Sequence, residues 1–411
     1  MLSLCPWARH LTHLAHSVCV HWCVNVCVNG VKMLIKLRLS TFFPIAALLL
    51  FILFCVQMNN SNYYENLNSY SENVMEEEIV YKRVIRSWPK CEQNKSAVII
   101  QGFSSLPEHI QNFLYYRHCR HFPMLLDIPG KCGGPEKSSE VFLLLVIKSS
   151  PGNYERREVL RKTWAKERQH DGLWIRRVFI SGTSGGGKDK VKLNKLLRAE
   201  QKENSDILQW NFEESLFNLT LKQILFLEWM EKNCPKVRFL LNGDDDVFAN
   251  TDGMVEYLRD IPGNNGSSHL YTGFVFENTG PVRNKKSKYY IPEQIQKSAK
   301  YEPYCGGGGY LLSGYTTMII YNMSKSIEVH PIDDVYIGMC VVKAGYLPTH
   351  HIGVKTLGLV LSNNQKIDEQ DPCHLKGLLL VHRYLPAQMF LMWHKINDPQ
   401  LRCGVQFWED F

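Results

Sequence analysis

Short apolar runs alternate with helical stretches from residue 141 onward, and this alternation limits the fold more than any other feature of the chain. Residues 141–147 form an uninterrupted apolar run of strand length, and residues 154–167 carry the pattern of a helix. A strand at 174–180, helices at 188–203 and 218–233, and a strand at 237–241 continue the pattern. Buried strands that alternate with helices predict an α/β fold with a mostly parallel central sheet, in which ligands bind at the carboxyl ends of the strands.

The composition is that of a folded globular protein. Of the 411 residues, 45% are hydrophobic and 21% are charged, and the formal net charge is +7. These values exclude a disordered tail, a collagen and a polytopic membrane protein. The charge is mild and no block of lysines or arginines marks a basic surface, so we expect no nucleic-acid partner.

One long apolar run, residues 39–56, contains no charged residue. It is long enough to cross a bilayer core as a helix. Lys32, Lys36 and Arg38 precede it, whereas residues 57–81 contain neither lysine nor arginine, so the positive-inside rule leaves the N-terminus in the cytoplasm. We therefore predict a single-pass type II membrane protein whose folded domain lies on the far side of the membrane.

The N-terminal region also has other interpretations. A cleaved signal peptide would be apolar too, but residues 55–59 offer no cleavage site with small residues. Further upstream, Cys19, Cys23 and Cys27 recur at steps of four. This spacing fits a metal cluster or one face of a helix, and a third interpretation is that Met33 is the true start and residues 1–32 are a gene-model extension.

Cysteines and sequons both indicate an oxidising compartment. Eight cysteines follow the apolar run, and an even number allows all of them to pair, with a connectivity that the sequence leaves open. They are Cys91, Cys119, Cys132, Cys234, Cys305, Cys340, Cys373 and Cys403. Five glycosylation sequons also lie beyond the run, at Asn59, Asn94, Asn218, Asn265 and Asn322.

An acidic triplet, Asp244 to Asp246, directly follows the apolar strand at 237–241. In an extended backbone alternate side chains point the same way, so Asp244 and Asp246 can face one site while Asp245 faces the other side. Adjacent carboxylates repel one another unless a cation or strong donors neutralise them. The triplet therefore indicates a hard divalent cation, Mn²⁺ or Mg²⁺, or else a solvated loop or helix cap.

Three later features end or begin predicted elements. Asp333 and Asp334 open a predicted helix, where they could be helix caps or supply a general base. Four glycines at 306–309 precede an apolar run, which either lets the backbone approach a ligand closely or forms a bulge. His382 ends the apolar run at 377–381 and could be a nitrogen ligand or a structural histidine.

Taken in order, these motifs resemble those of the β-1,3-glycosyltransferase family of Golgi type II enzymes, over roughly residues 141–403. The matching segments are Arg-Arg-Glu-Val-Leu-Arg-Lys-Thr-Trp at 156–164, Phe-Asn-Leu-Thr-Leu-Lys at 217–222, the acidic triplet, residues 304–313 and Asp-Asp-Val-Tyr-Ile-Gly at 333–338. The four-glycine run is similar to the N-acetylglucosaminyl branch. Glu213 and Glu214 depart from the family pattern, which has aspartates and aromatic residues here.

The resemblance implies a GT-A fold and an inverting transfer of N-acetylglucosamine from UDP-N-acetylglucosamine to the 3-hydroxyl of terminal galactose. It implies that Asp246, Asp244 and His382 bind Mn²⁺ and that Asp334 is the catalytic base. The residues it implies at the donor are Lys148, Arg156, Arg161, Asp244, Asp245, Gly307 and Gly308. Arg157 and Trp164 we expect to be packing residues.

The expected organisation is a cytoplasmic tail at 1–38, a transmembrane signal anchor at 39–57, a stem at 58–90, a cysteine-containing cap at 91–139 and a catalytic domain at 140–411. The resemblance implies location in the Golgi membrane and acceptors that are galactose-terminated glycans of glycoproteins or glycolipids. The resemblance does not decide whether the protein forms homo-oligomers or hetero-oligomers. A galactosyltransferase of the same family and an inactive lumenal glycan-binding or assembly partner are the alternatives.

Overall fold

The computed structural model describes residues 50–61, 65, 88–186, 188–358 and 371–403. The chain divides into two compact units, Met1–Arg83 and Val84–Phe411. In the first unit, residues 50–61 are helical. Among the described ranges, no helix combines the length and the apolar character that a membrane span needs. The predicted tail, residues 39–49 of the predicted anchor, and residues 62–64 and 66–87 of the predicted stem lie outside the described residues.

The second unit contains alternating strands and helices. Its strands are β1 (Met124–Leu126), β2 (Val141–Lys148), β3 (Arg168–His170), β4 (Leu173–Thr183), β5 (Ile207–Glu213), β6 (Phe239–Asp244), β7 (Val247–Ala249), β8 (Tyr271–Phe276), β9 (Tyr304–Ser313), β10 (Thr349–His350), β11 (Val354–Lys355) and β12 (Leu380–His382). Its helices are α1 (Glu108–Tyr116), α2 (Tyr154–Lys162), α3 (Lys188–Asn204), α4 (Leu219–Asn233), α5 (Thr251–Arg259), α6 (Gly314–Ser324), α7 (Asp333–Lys343), α8 (Pro372–Lys376) and α9 (Pro386–Ile396).

The larger sheet has the order β1-β5-β4-β2-β6-β9-β8-β10, and β3 pairs with β4. Strands β5, β4, β2 and β6 pair in parallel, as the alternation of strands and helices predicts. Strand β9 is antiparallel to both of its neighbours, β6 and β8, and β1 and β3 are also antiparallel to their partners. The sheet is therefore mixed. A smaller sheet has the strand order β11-β12-β7. Its strand β7 follows directly after the acidic triplet in the chain.

Alternate residues of β2 enter two different hydrophobic clusters, which explains why this strand is apolar throughout. Leu144 and Val146 belong to a cluster that includes buried residues of α4, α6 and α7. Leu143, Leu145 and Ile147 belong to a second cluster, with residues of α2, β7 and β12. A strand that is covered on both faces has no polar side, so its sequence is continuous rather than alternating.

Helix α2 ends earlier than the sequence predicts. The pattern extends to residue 167, but the helix stops at Lys162 because Thr163 leaves the helical region, with φ −118° and ψ −131°. This break allows Trp164 to insert its fully buried indole, whose Nε1 donates a hydrogen bond of 2.9 Å to the carbonyl of Val247. Trp164 is therefore the packing residue that the sequence predicted.

Three disulfides join the described cysteines. Cys91–Cys119 closes a loop within the predicted cap, and Cys132–Cys234 joins that segment to the residue after α4. Cys373–Cys403 closes the C-terminal part of the described chain. Cys305 and Cys340 are buried free thiols, so the full pairing that an even number allows is not realised. The cap residues also contribute Ile110, Phe113 and Leu114 to the first hydrophobic cluster.

Candidate active site

The acidic triplet forms the turn between the two sheets. Strand β6 ends at Asp244 and strand β7 begins at Val247. The side chains of Asp244 and Asp246 are 34% and 31% exposed, whereas that of Asp245 is 5% exposed. The outer two carboxylates therefore face the outside of the sheet edge and the middle one faces the interior, as the alternation of an extended backbone predicts.

His382 completes a group of three possible ligands with Asp244 and Asp246, whose ligand atoms all lie within 4.8 Å of one another. The antiparallel pairing of β12 with β7 places His382 opposite Val247, next to the acidic turn. Its Nε2 lies 3.2 Å from Oδ1 of Asp246 and its Nδ1 lies 2.9 Å from the carbonyl of Thr356. A carbonyl accepts but cannot donate, so Nδ1 carries the hydrogen and Nε2 faces the carboxylates.

The pKa values of the two outer carboxylates are shifted in opposite directions. Burial raises the pKa of Asp244, and the negative charge of Asp333 adds to this effect against the opposing charge of Lys148. For Asp246 burial acts in the same direction, but the hydrogen bond to His382 and the charge of Arg156 outweigh it and lower the pKa. The same hydrogen bond raises the pKa of His382.

Lys148 connects the acidic turn to the start of helix α7. Its Nζ donates to Oδ2 of Asp333 at 2.8 Å and to the carbonyl of Gly307 at 3.2 Å, and it lies 3.1 Å from Oδ1 of Asp244. Burial opposes its charge, but the carboxylates of Asp244 and Asp333 outweigh burial and raise the pKa of Lys148 well above its ordinary value. Lys148 is therefore a fixed cation between two anionic groups.

Asp334 lies in the first turn of α7 and faces the glycine-rich part of β9. The backbone N–H of Gly307 donates to its Oδ2 at 2.9 Å and the N–H of Val335 donates to its Oδ1 at 2.8 Å. Burial and the neighbouring charge of Asp333 nevertheless raise the pKa of Asp334 to about 7. A carboxylate with this pKa is a stronger base than an exposed aspartate and still loses its proton near neutral pH.

The four glycines of β9 make room for the side chains of the site. A Cβ on Gly307 would lie 3.2 Å from Oδ2 of Asp334, and one on Gly308 would lie 2.8 Å from Oγ1 of Thr356 and 3.1 Å from Cγ of His382. The pairing of β8 with β9 also shifts register in this region, between Gly273 and Val275. The glycine run therefore forms a bulge and lets side chains of the protein approach its backbone closely, whereas a close approach to a ligand stays a prediction.

Arg156 and Asp245 form an ion pair behind the acidic turn. Arg156 Nη1 donates to Oδ1 of Asp245 at 2.7 Å and lies 3.4 Å from Oδ2 of Asp246. Oδ2 of Asp245 accepts hydrogen bonds of 2.7 Å from Ser149 and from Asn153. The structure thus brings Arg156 to the turn. It turns Asp245 inward, toward donors of the protein itself.

Arg161 lies in a buried cluster of charges. Its guanidinium forms a bidentate hydrogen bond with Asp206, at 2.9 and 2.8 Å, and further pairs with Glu158 and Glu200. Its side chain is 5% exposed and stacks over Phe179. The guanidinium of Arg161 is therefore held by carboxylates of the protein itself, and its expected place near the nucleotide-sugar donor stays a prediction. Arg157 belongs to the same cluster through Glu200, as expected of a packing residue.

Sequence reasoning missed three polar residues that hold the site in place: Ser149, Asn153 and Thr356. Ser149 and Asn153 follow the strand that ends at Lys148, and this position at the carboxyl end of a buried strand was a usable signal. Thr356 follows β11, a strand of two residues that no periodicity reveals. Its contact with His382 depends on the pairing of β11 with β12, which only the fold supplies.

The side-chain atoms that could bind a metal at this site suit a divalent cation such as Mn²⁺. Two carboxylates and one imidazole are oxygen and nitrogen ligands of the kinds that Mn²⁺ accepts. The hydrogen bond of His382 Nδ1 to a backbone carbonyl is the outer contact that orients a metal-binding imidazole. Asp244 and Asp246 are half-exposed, so a nucleotide can reach an ion between them.

Comparison with known proteins identifies the family of this chain. The sequence model of the galactosyltransferase family matches residues 155–351. The human N-acetyllactosaminide β-1,3-N-acetylglucosaminyltransferase 3 is 50% identical over 317 residues, which cover 77% of this chain and 83% of that protein. The chain belongs to the galactosyltransferase family. The fold of the chain is mixed α/β with a central sheet, and the chain is a glycosyltransferase.

Other members of the family show the same relation at lower identity. The human acetylgalactosaminyl-O-glycosyl-glycoprotein β-1,3-N-acetylglucosaminyltransferase is 44% identical, covering 77% of this chain and 81% of that protein. The human N-acetyllactosaminide β-1,3-N-acetylglucosaminyltransferase 2 is 37% identical, covering 74% of each chain. Among solved structures, the galactosyltransferase LgtC with donor and acceptor sugar analogues is 12% identical with a TM-score of 0.31, covering 61% of this chain and 95% of that chain. That likeness is too weak to bear on function.

Proposed function

We propose that this chain transfers N-acetylglucosamine from UDP-N-acetylglucosamine to the 3-hydroxyl of a terminal galactose on O-glycan or lactosamine chains, with inversion to a β-1,3 linkage. The observation that carries the proposal is the Lys148 bridge. This one buried cation contacts Asp244 of the acidic group and Asp333, the neighbour of Asp334. Two features are thereby held at the same edge of the sheet. One is a group that can bind a cation, and the other is a carboxylate with a raised pKa. A relative that is named as a β-1,3-N-acetylglucosaminyltransferase is 50% identical.

In this proposal Asp246, Asp244 and His382 would hold Mn²⁺. The ion would neutralise the negative charge that UDP gains when it leaves. Asp334 removes the proton from the galactose 3-hydroxyl while that oxygen forms a bond to the anomeric carbon and the bond from this carbon to UDP breaks. The Gly307 N–H orients Asp334, and Asp333 together with burial keeps it basic. Arg156 and Lys148 supply positive charge beside the donor.

The same proposal includes the location of the enzyme. We propose that residues 39–57 anchor it as a single-pass type II protein of the Golgi membrane, with residues 91–139 as a cap and 140–411 as the catalytic domain in the lumen. Three disulfides among the described cysteines support this, since disulfides persist in oxidising compartments. Galactose-terminated glycans of glycoproteins or glycolipids would be the acceptors there.

The test compares donors and variants in one transfer assay. The full chain, solubilised in detergent with Mn²⁺, is incubated with galactose-terminated acceptors and with UDP-N-acetylglucosamine, UDP-galactose or UDP-N-acetylgalactosamine. We expect transfer from UDP-N-acetylglucosamine. Asp334→Asn should lower kcat by at least about a hundredfold while UDP still binds, and Asp246→Asn should lose metal-dependent UDP binding.

Asp260→Asn is the matched control, because this aspartate is exposed on the surface and should tolerate the same substitution. Transfer of galactose alone would reassign the donor and leave the mechanism in place. A folded chain that binds no UDP with Mn²⁺ and transfers no sugar would contradict the proposal. It would favour the alternative of an inactive glycan-binding or assembly partner. Near wild-type turnover of Asp334→Asn would refute the assignment of the base.

A further inference from the structure

We propose that Ser149, Arg157 and Glu200 are positioning residues that act through Asp245 to fix the acidic turn. The inference rests on the proposed function for the ligand, a divalent cation with a nucleoside diphosphate. None of the three side chains lies in the group formed by Asp244, Asp246 and His382, and all three are buried. They form a chain of hydrogen bonds from helix α3 to the turn between β6 and β7.

The inner end of this chain is Asp245. Its carboxylate is 5% exposed and accepts three hydrogen bonds of 2.7 Å, from Ser149, Asn153 and Arg156. Such a carboxylate has most of its acceptor directions filled by groups of the protein itself. Since Asp245 lies between Asp244 and Asp246 in the chain, its attachment also limits the rotation of both neighbours.

At the other end of this chain of hydrogen bonds, every N–H group of the Arg157 guanidinium donates a hydrogen bond. Arg157 is fully buried, and its Nε and Nη2 donate to the two oxygens of Glu200 at 2.7 and 2.8 Å. Nη2 also donates to the carbonyl of Pro151, and Nη1 donates to the carbonyl of Ser150 at 2.7 Å and to Ser149 Oγ at 2.9 Å. All five N–H groups of the guanidinium are thus used, so Glu200 of α3 sets the position of Arg157.

Ser149 transmits this position to the turn. Its Oγ accepts from Arg157, which has no acceptor atom, and therefore its own hydrogen is directed to Oδ2 of Asp245 at 2.7 Å. The bond order along the chain is fixed: Arg157 donates to Ser149 and Ser149 donates to Asp245. Arg156 and Arg157 are neighbours on α2, yet one holds Asp245 directly and the other holds it through Ser149. The helix is therefore attached to the turn at two points.

A double-mutant cycle in the full chain, solubilised in detergent, tests the route. Binding of UDP in the presence of MnCl₂ is measured by calorimetry for wild type, Ser149→Ala, Asp245→Asn and the double variant. We expect Ser149→Ala to weaken binding about tenfold, as loss of an outer contact to a metal site does, and to have less than a twofold effect when Asp245 is already Asn. Glu200→Gln should show the same dependence on Asp245.

The matched control is Ser181→Ala, a serine on β4 that is equally buried but hydrogen-bonded to Gly182 and Glu214. It should leave UDP affinity within twofold of wild type. A second measurement needs no ligand: amide hydrogen exchange at residues 244–248 in metal-free protein should be faster in Ser149→Ala than in Ser181→Ala. Thermal unfolding of each variant confirms that it is folded.

Unchanged UDP affinity and unchanged exchange in Ser149→Ala would overturn the proposal. An effect of the same size with Asp245 and with Asn at position 245 would also overturn it, because Ser149 would then act by another route, such as its chain neighbour Lys148. If wild type binds no UDP with Mn²⁺, the proposed function fails, and the exchange experiment alone decides whether the Ser149–Asp245 link holds the turn.

Discussion

At the scale of single residues, Asp334 combines two opposing influences. Two backbone N–H groups hydrogen-bond its carboxylate, which favours the charged form, whereas burial and the charge of Asp333 favour the neutral form. The second pair of effects dominates and raises the pKa to about 7. Burial and the charge of Asp333 therefore make the Asp334 carboxylate a stronger base than an exposed aspartate. The two acids of this pair have different partners, since Asp333 binds Lys148.

The pKa of Asp334 predicts the pH dependence of transfer. As a base it acts only when deprotonated, so kcat/KM should rise with pH through about 7 and fall about tenfold per unit below it. Asp333→Asn removes a negative charge that raises this pKa, so the acidic limb should move to lower pH. The measurement is kcat/KM between pH 5 and 9 for wild type and Asp333→Asn. A flat profile from pH 5.5 to 8 would contradict the assignment.

At the scale of elements, strand β9 shows how one segment serves two halves of the site. Gly307 faces Asp334 of helix α7, while Gly308 faces His382 of β12 and Thr356. Gly309 is enclosed in the same way, since a Cβ there would overlap Leu380. The strand runs antiparallel to both of its neighbours, β6 and β8. Its glycines leave room for side chains of three other segments to meet across it.

Gly308→Ala should therefore weaken metal-dependent UDP binding without unfolding the protein. The new methyl group would lie 2.8 Å from Thr356 Oγ1 and 3.1 Å from His382 Cγ, which is too close, so the imidazole must move. We expect at least a tenfold loss of UDP affinity with Mn²⁺ and a loss of stability of about 1–3 kcal/mol, the usual cost of overpacking. Calorimetry and thermal unfolding measure the two effects. Gly130→Ala is the control, because a Cβ there meets nothing within 4 Å; equal behaviour of the two variants would contradict the prediction.

At the scale of the whole second unit, covalent links connect segments that are far apart in sequence. Cys132–Cys234 spans 102 residues and encloses β2 to α4, the first parallel strands of the sheet. Cys91–Cys119 spans 28 residues. In the chain-entropy model, a longer closed loop removes more freedom from the unfolded chain and so stabilises the fold more. The site itself uses residues from Lys148 to His382, so it depends on this long-range order.

Loss of the longer disulfide should destabilise the enzyme more than loss of the shorter one. We expect replacement of both Cys132 and Cys234 by Ala to lower the free energy of unfolding by about 2–5 kcal/mol, and replacement of Cys91 and Cys119 to cost about 1 kcal/mol less. Urea unfolding of the two double variants measures the difference. A larger loss in the variant without Cys91 and Cys119 would contradict the loop-length argument.

The sequence predicted the parallel strands and the outward-facing acids, because strand length, alternation and position at a carboxyl end are local properties. It did not predict where Arg161 lies: its partners Glu200 and Asp206 come from α3 and the segment after it, and no spacing reveals such a contact. The role of the glycines was open for the same reason, since the side chains that require them lie 26 residues or more away along the chain. Cysteine pairing likewise depends on the folded path.

The position of His382 has a consequence for protein synthesis. Of the three residues that could hold a metal ion, Asp244, Asp246 and His382, this histidine comes last in the chain. While the ribosome is still translating the acidic turn, the imidazole does not yet exist, so a nascent chain cannot assemble the group. A messenger that stops before codon 382 yields a polypeptide with both aspartates and Asp334 but without His382. The group of three side chains therefore exists only after residue 382 has been translated.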